Sequence, residues 1–178
     1  MTDNPAGKRT GRIAEVAPLI NATDGLTLGQ ICSLTDLESS TIQNWIKRGF
    51  VPHPVRKKYH RRHLARILLI AQLRESMQID RVGELLCFVN GDADDESDDL
   101  IPEEDLYDIF HHIALELERR KPAPDDVEEL VNSIAREELL GFEGKDKILN
   151  ALNIMAYTHI ANLYKRKADS LFQQNCQG

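Results

Sequence analysis

No apolar stretch in the sequence is long enough to cross a membrane. The most apolar run, Ile67-Leu68-Leu69-Ile70-Ala71, lies between Arg66 and Arg74 and falls far short of the roughly 20 residues a spanning helix needs. The N-terminus lacks the apolar segment of a secretory signal. Cysteine is scarce: Cys32, Cys87 and Cys176 are widely separated, which argues against a disulfide framework and for reduced thiols in a cytoplasmic protein. A phosphate-cradling glycine loop, a dinucleotide fingerprint and a nucleophile elbow are all missing. His111 and His112 are neighbours and diverge by about 100° on a helix, while His60 and His63 sit among cations that oppose a bound metal. Neither pair has a Cys or carboxylate at ligand spacing. The expectation is a non-enzymatic protein with no cofactor and no membrane contact.

The chain as a whole is acidic, with 22 Lys and Arg against 29 Asp and Glu. Ser39 to Leu64 reverses this: it carries Lys47, Arg48, Arg56, Lys57, Lys58, Arg61 and Arg62 and no acidic residue. Such an inversion suits a surface that faces phosphates, because bound Lys and Arg release condensed counterions. A solvated basic face that touches nothing is the plain alternative.

The order of elements favours the first reading. Leu26, Leu28, Ile31 and Leu34 define a short amphipathic helix with Thr27 as its cap, and residues 35–38 make a brief turn. A second helix follows, with Ser39 as the expected cap and Ile42, Trp45, Ile46 and Phe50 on one apolar face. Ser40, Thr41, Gln43, Asn44 and Lys47 then point outward, a set of donors and acceptors suited to base edges and phosphates. Gly49 ends the helix. Two short helices joined this closely form a helix-turn-helix. Pro52 and Pro54 leave room for a tight hairpin, Val51 on one arm and Val55 to Tyr59 on the other, presenting Arg56, Lys57 and Lys58.

Thr41-Ile42-Gln43-Asn44-Trp45-Ile46-Lys47-Arg48-Gly49-Phe50, with Tyr59 closing the basic segment, resembles the MerR-type winged helix-turn-helix over Leu26 to Leu86. Asn44-Trp45-Ile46-Lys47, Pro52-His53-Pro54-Val55-Arg56-Lys57-Lys58-Tyr59 and His63-Leu64-Ala65 resemble more closely the bacterial family called domain of unknown function 1836, up to about Leu117. Gln43 and Asn44 stand where MerR proteins usually carry Arg and Tyr, so groove preference does not transfer. Local charge and helix facing, with the resemblance beside them, give an expected DNA-contacting set of Ser40, Thr41, Gln43, Asn44, Lys47, Arg48, Arg56, Lys57, Lys58, Tyr59, Arg61 and Arg62.

The remainder is read in order. Residues 1–25 form a mobile basic tail and a short helix on Ile13, Val16, Ala17 and Ile20; residues 26–89 form the DNA-binding part, completed by a helix from Arg61 and a second one capped by Asp80. Residues 90–102 are so acidic that a self-repelling, solvated linker is expected, lying away from DNA. Residues 103–178 are helical, for dimerisation or effector binding. Their last helix, Lys145 to Phe172, outruns a small domain, so a second copy is expected to cover its excess apolar face. Tyr107, Phe110, Phe142, Met155, Tyr157 and Tyr164 are candidates for an effector pocket. The fold expected is all-α with a short β wing, and the function is that of a dimeric regulator binding double-stranded DNA, with a small-molecule effector as a further candidate. The competing reading is a protein-interaction adaptor on the same scaffold.

Overall fold

A computed structural model describes residues 12–176. The expected basic tail lies outside them. The described residues form eight α-helices and two 3-10 turns without an extended strand; the chain is all-α.

Helix α1 (Arg12–Ala22) buries Ile13 and Ile20. Helix α2 (Leu28–Thr35) opens with a reciprocal cap: the Gln30 amide donates to Thr27 Oγ1 at 3.3 Å, and the Thr27 amide to Gln30 Oε1 at 2.8 Å. Helix α3 (Ser39–Lys47) is capped by Glu38 rather than Ser39, and by backbone geometry alone, without a side-chain bond. It stops as Gly49 foretells. Gly49 takes a φ of 75°, its amide donates to Ile46 at 3.0 Å and the Phe50 amide to Trp45 at 2.9 Å, the paired bonds of a left-handed glycine stop.

Helices α4 (Arg61–Leu73) and α5 (Ile79–Asn90) follow. The cap of α5 is Gln78 rather than Asp80, which sits in the first turn and pairs with Arg48. Phe50 lies on Gly83 of α5, where a Cβ would come within 2.6 Å of its ring, so the missing side chain lets α5 close on the end of α3. After the acidic segment come α6 (Glu103–Arg120), α7 (Val127–Glu138) and the 32-residue α8 (Lys145–Cys176). The first turn of α6 holds Glu103, Glu104 and Asp105 and its last turn Arg119 and Arg120, each sign at the helix end whose dipole it complements.

Helix α4 is the centre. Every residue from His63 to Ile70 is buried, as for a helix apolar on all sides, because α1, α2, α5, α6 and α8 all pack on it. Helices α6, α7 and α8 also pack on one another. One apolar core therefore runs from Ile13 to Ala156, covering what the sequence divides into a DNA-binding and a C-terminal part.

The acidic segment does not stand open. The His53 amide donates to Asp94 Oδ1 at 2.7 Å, and the His53 ring meets Asp94 Oδ2 at 2.8 Å. Arg62 donates to Glu96 Oε1 at 2.6 Å and to the Ala93 carbonyl at 2.9 Å. Ala93 and Ile101 are buried, and the Leu100 amide returns to the Val89 carbonyl of α5. Arg62 thus offsets part of the repulsion among its carboxylates and His53 hydrogen-bonds Asp94, and the segment is a strap folded on the base of α4.

Candidate nucleic-acid interface

Local sequence sets the facing of α3. Ile42 and Trp45 are buried and Ile46 half-buried, which leaves Ser40, Gln43, Asn44 and Lys47 exposed on the opposite side, with Thr41 half-buried at the edge. Arg74 stands over the Trp45 ring at 5.3 Å and Arg48 over Phe50 at 4.5 Å, so two cations cover the rings that the helix does not fully bury.

The Pro-rich stretch makes a tighter reversal than expected. Val55 and Lys58 exchange both backbone bonds, at 3.1 and 2.8 Å, around Arg56 and Lys57. These two have φ of 50° and 64°, the mirror-image two-residue turn that Asn-Gly usually fills. The expected arm at Val51 does not pair here. Tyr59 bonds instead to Leu26 in both directions at 2.8 Å, which ties the reversal to the residue before the Thr27 cap of α2. Tyr59 is 4% exposed and its ring meets His63 edge-on. Burial, then the nearby Cys32, pushes its hydroxyl pKa up, so Tyr59 is a structural anchor.

The cationic residues divide into two groups. Lys47, Arg56 and Lys57 are exposed and make no ion pair with another described residue. The others are engaged: Arg48 with Asp80, Lys58 with the carbonyls of Thr23 and Gly25 at 3.3 and 3.4 Å, Arg61 with Asn21 Oδ1 at 3.1 Å, and Arg62 with the strap.

His63 holds the base of this surface. Its Nδ1 accepts from the His60 amide at 3.0 Å, and its Nε2 lies 3.0 Å from the His53 carbonyl. Only the neutral ring protonated on Nε2 satisfies both partners, in agreement with a pKa that burial pushes down. The deepest polar element is one the sequence reading missed. Arg66, 2% exposed, pairs with Glu103, 1% exposed, while its Nε donates to the Phe50 carbonyl at 2.9 Å. One buried guanidinium thereby joins the end of α3 to the start of α6. An Arg inside the stripe Leu64 to Ile70 was the available signal, but its partner lies 37 residues away.

The candidate effector residues do not converge. Tyr107, Phe110 and Met155 are core, whereas Tyr157 and Tyr164 are 40% and 75% exposed, so the six line no common enclosure.

Among the described residues the protein is thus all-helical, with an exposed polar face on α3 and an exposed cationic reversal at Arg56 and Lys57. Residues 15–110 match the model of Domain of unknown function (DUF1836), just over half the chain, and the protein belongs to that family. It is also similar to the uncharacterized protein YkrK of Bacillus subtilis (strain 168), 27% identical over 123 residues, which are 67% of this chain and 52% of that one. The chain thus spans about half the length of the curated relative it matches. No solved structure matches it. Among the described residues, no helix is long and apolar enough to cross a membrane.

Proposed function

We propose that the protein is a sequence-specific DNA-binding regulator in which α2, its turn and α3 act as a helix-turn-helix and residues 55–58 as a short MerR-like wing. The observation that carries this reading is exposure: Ser40, Gln43, Asn44 and Lys47 of α3 stand clear of the buried Ile42 and Trp45, and Arg56 and Lys57 of the reversal are exposed as well. Gln and Asn offer paired donors and acceptors to base edges, and the three unpaired cations offer charge to phosphates. The dimer belongs to the same proposal. Side-chain burial on α8 ends at Asn162, and Tyr164, Leu171 and Phe172 beyond it are exposed, which leaves apolar surface for a second copy and sets two recognition helices about a two-fold axis.

Selection from random DNA with the purified full chain tests the reading. Enrichment of a two-fold symmetric sequence, with affinity falling steeply as salt rises, is the expected result. The adaptor reading draws on one observation of its own, the engagement of Arg48, Lys58, Arg61 and Arg62 inside the molecule. Failure to bind any DNA at low salt would favour it.

A further inference from the structure

Helix α8 carries two stripes, and only one of them faces the core. Met155, Ala156, His159 and Asn162 are buried against the rest of the molecule. On the other side Ile154, Tyr157, Ala161, Tyr164, Ala168 and Leu171 follow one another at alternating spacings of three and four residues, and all six are exposed. That alternation averages 3.5 residues, the period at which one α-helix winds along another. Beyond Asn162 the helix reaches the body through Lys165 and Arg166, which both donate to Glu75, while its apolar residues stand clear.

Side-chain size decides what fits this stripe. Two copies of α8 laid antiparallel, about a two-fold axis level with the Asn162–Leu163 peptide, set Ile154 against Leu171, Tyr157 against Ala168 and Ala161 against Tyr164. Each pairing occurs twice, as an isologous interface requires. Every Tyr then meets an Ala, and the two branched aliphatic residues meet each other. A parallel, in-register pair would instead stack Tyr on Tyr and Ala on Ala, so its seam would be crowded and hollow by turns. The antiparallel register also brings the exposed Asn150 opposite the exposed Asn175, and a polar layer of this kind fixes register at a cost in stability. From residue 150 to residue 175 the overlap is about 38 Å long.

Charge agrees with the same arrangement. The Tyr157 hydroxyl donates to the Pro124 carbonyl at 3.1 Å, so the turn that carries the exposed Asp125 and Asp126 lies beside this ring. Lys167 is exposed and adjoins Ala168. Seating Ala168 of one copy on Tyr157 of the other therefore carries Lys167 toward those two carboxylates.

We propose that α8 pairs antiparallel with α8 of a second copy of this chain, centred between residues 162 and 163, so that the outer half of each helix lies on the packed half of the other. This gives an interface to the dimer of the preceding reading, on which it rests, and requires nothing of DNA binding.

Sedimentation of the full chain combined with disulfide trapping tests it. The parent should be a dimer at micromolar concentration. Tyr164→Glu changes an exposed residue and places two carboxylates near the two-fold axis, so it should raise the dissociation constant at least tenfold with helical content in circular dichroism unchanged. Gln173→Glu, on the opposite side of α8, should leave the dimer intact. With Cys32, Cys87 and Cys176 each replaced by Ser, the double variant Tyr157→Cys with Ala168→Cys should become a covalent dimer on copper-catalysed air oxidation, and neither single variant should. A monomeric parent, a dimer that Tyr164→Glu does not weaken, a double variant that fails to cross-link, or single variants that cross-link as well as the double would each overturn the pairing. A trapped dimer that enriches no DNA sequence would keep this inference and remove the regulator; a monomer that enriches one would do the reverse.

Discussion

Replacing Arg66 with Met removes one half of the ion pair between α4 and α6 and leaves Glu103 buried without its cation. Both side chains are almost wholly enclosed, so solvent cannot compensate, and breaking such a pair typically costs about 3–5 kcal/mol. For a chain of this size each kcal/mol lowers the melting temperature by ~2–4 °C, so the variant should melt roughly 6–20 °C lower. Glu103→Met should cost a comparable amount, since it strands the guanidinium. The double variant Arg66→Met with Glu103→Met should recover most of the loss, because apolar side chains of similar size often replace a buried pair without penalty. What it does not recover is the bond to the Phe50 carbonyl, for which about 1–3 kcal/mol is the expected residue. Urea unfolding of the four proteins gives the coupling energy directly. Additive single effects, or single losses too small to measure, would show that the two residues do not form a buried pair.

Trp45→Ala should destabilise the protein by roughly 3–5 kcal/mol, as truncation of a buried large aromatic does; an unchanged urea midpoint would mean that the ring faces solvent and that α3 is turned the other way. Arg56→Asn with Lys57→Gly should raise stability, since the backbone there lies at positive φ at a cost of about 1–2 kcal/mol per side-chain-bearing residue. The same pair of changes should weaken DNA binding and lower its salt slope by about 2, so a retained slope would refute the wing assignment. Stability should also carry the signature of Asp99. A carboxyl whose pKa is raised in the folded state, here from 3.8 to about 6, contributes stability that is complete below its unfolded value and is lost as pH rises through about 6. Asp99→Asn cannot ionise, so its melting temperature relative to the parent should climb across that window; the groups facing it are Arg62 and Arg66 of α4, Asp98 of the strap and Glu103 of α6. His63 and His159, whose pKa values burial lowers, act in the opposite sense: each contributes stability that is present above 6.5 and lost as pH falls below it, which a melting series in acid on Asp99→Asn, where the opposing carboxyl is gone, checks.

Much of this architecture was legible in the sequence, for reasons that can be named. Ile42 and Trp45 fall at helical spacing and are buried, Thr27 and Gln30 form the cap their types suggest, and Gly49 stops α3. What was not legible depends on partners distant in the chain. Residues 90–102 looked self-repelling because their charges were weighed against one another, whereas His53 and Arg62, contributed from elsewhere, hold them down. Tyr59 looked like the end of a basic arm, but its backbone pairs with Leu26 and its ring is buried. Ser39 and Asp80 are both residue types that cap helices, yet neighbouring residues took that position in α3 and α5.

Helix α4 has a consequence for how this protein can be cut. The family match stops at Phe110, inside α6, while Ile113 and Leu117 of that helix and Leu152 and Met155 of α8 belong to the same core, and Asn162 donates to the Gln72 carbonyl at 2.7 Å. A fragment ending at residue 110 would leave one flank of the most thoroughly buried helix among the described residues facing water. The shared segment is therefore not a free-standing block that can be transplanted at will: something must roof the far side of α4, and here the rest of α6 and α8 are that roof, with α7 packed behind them.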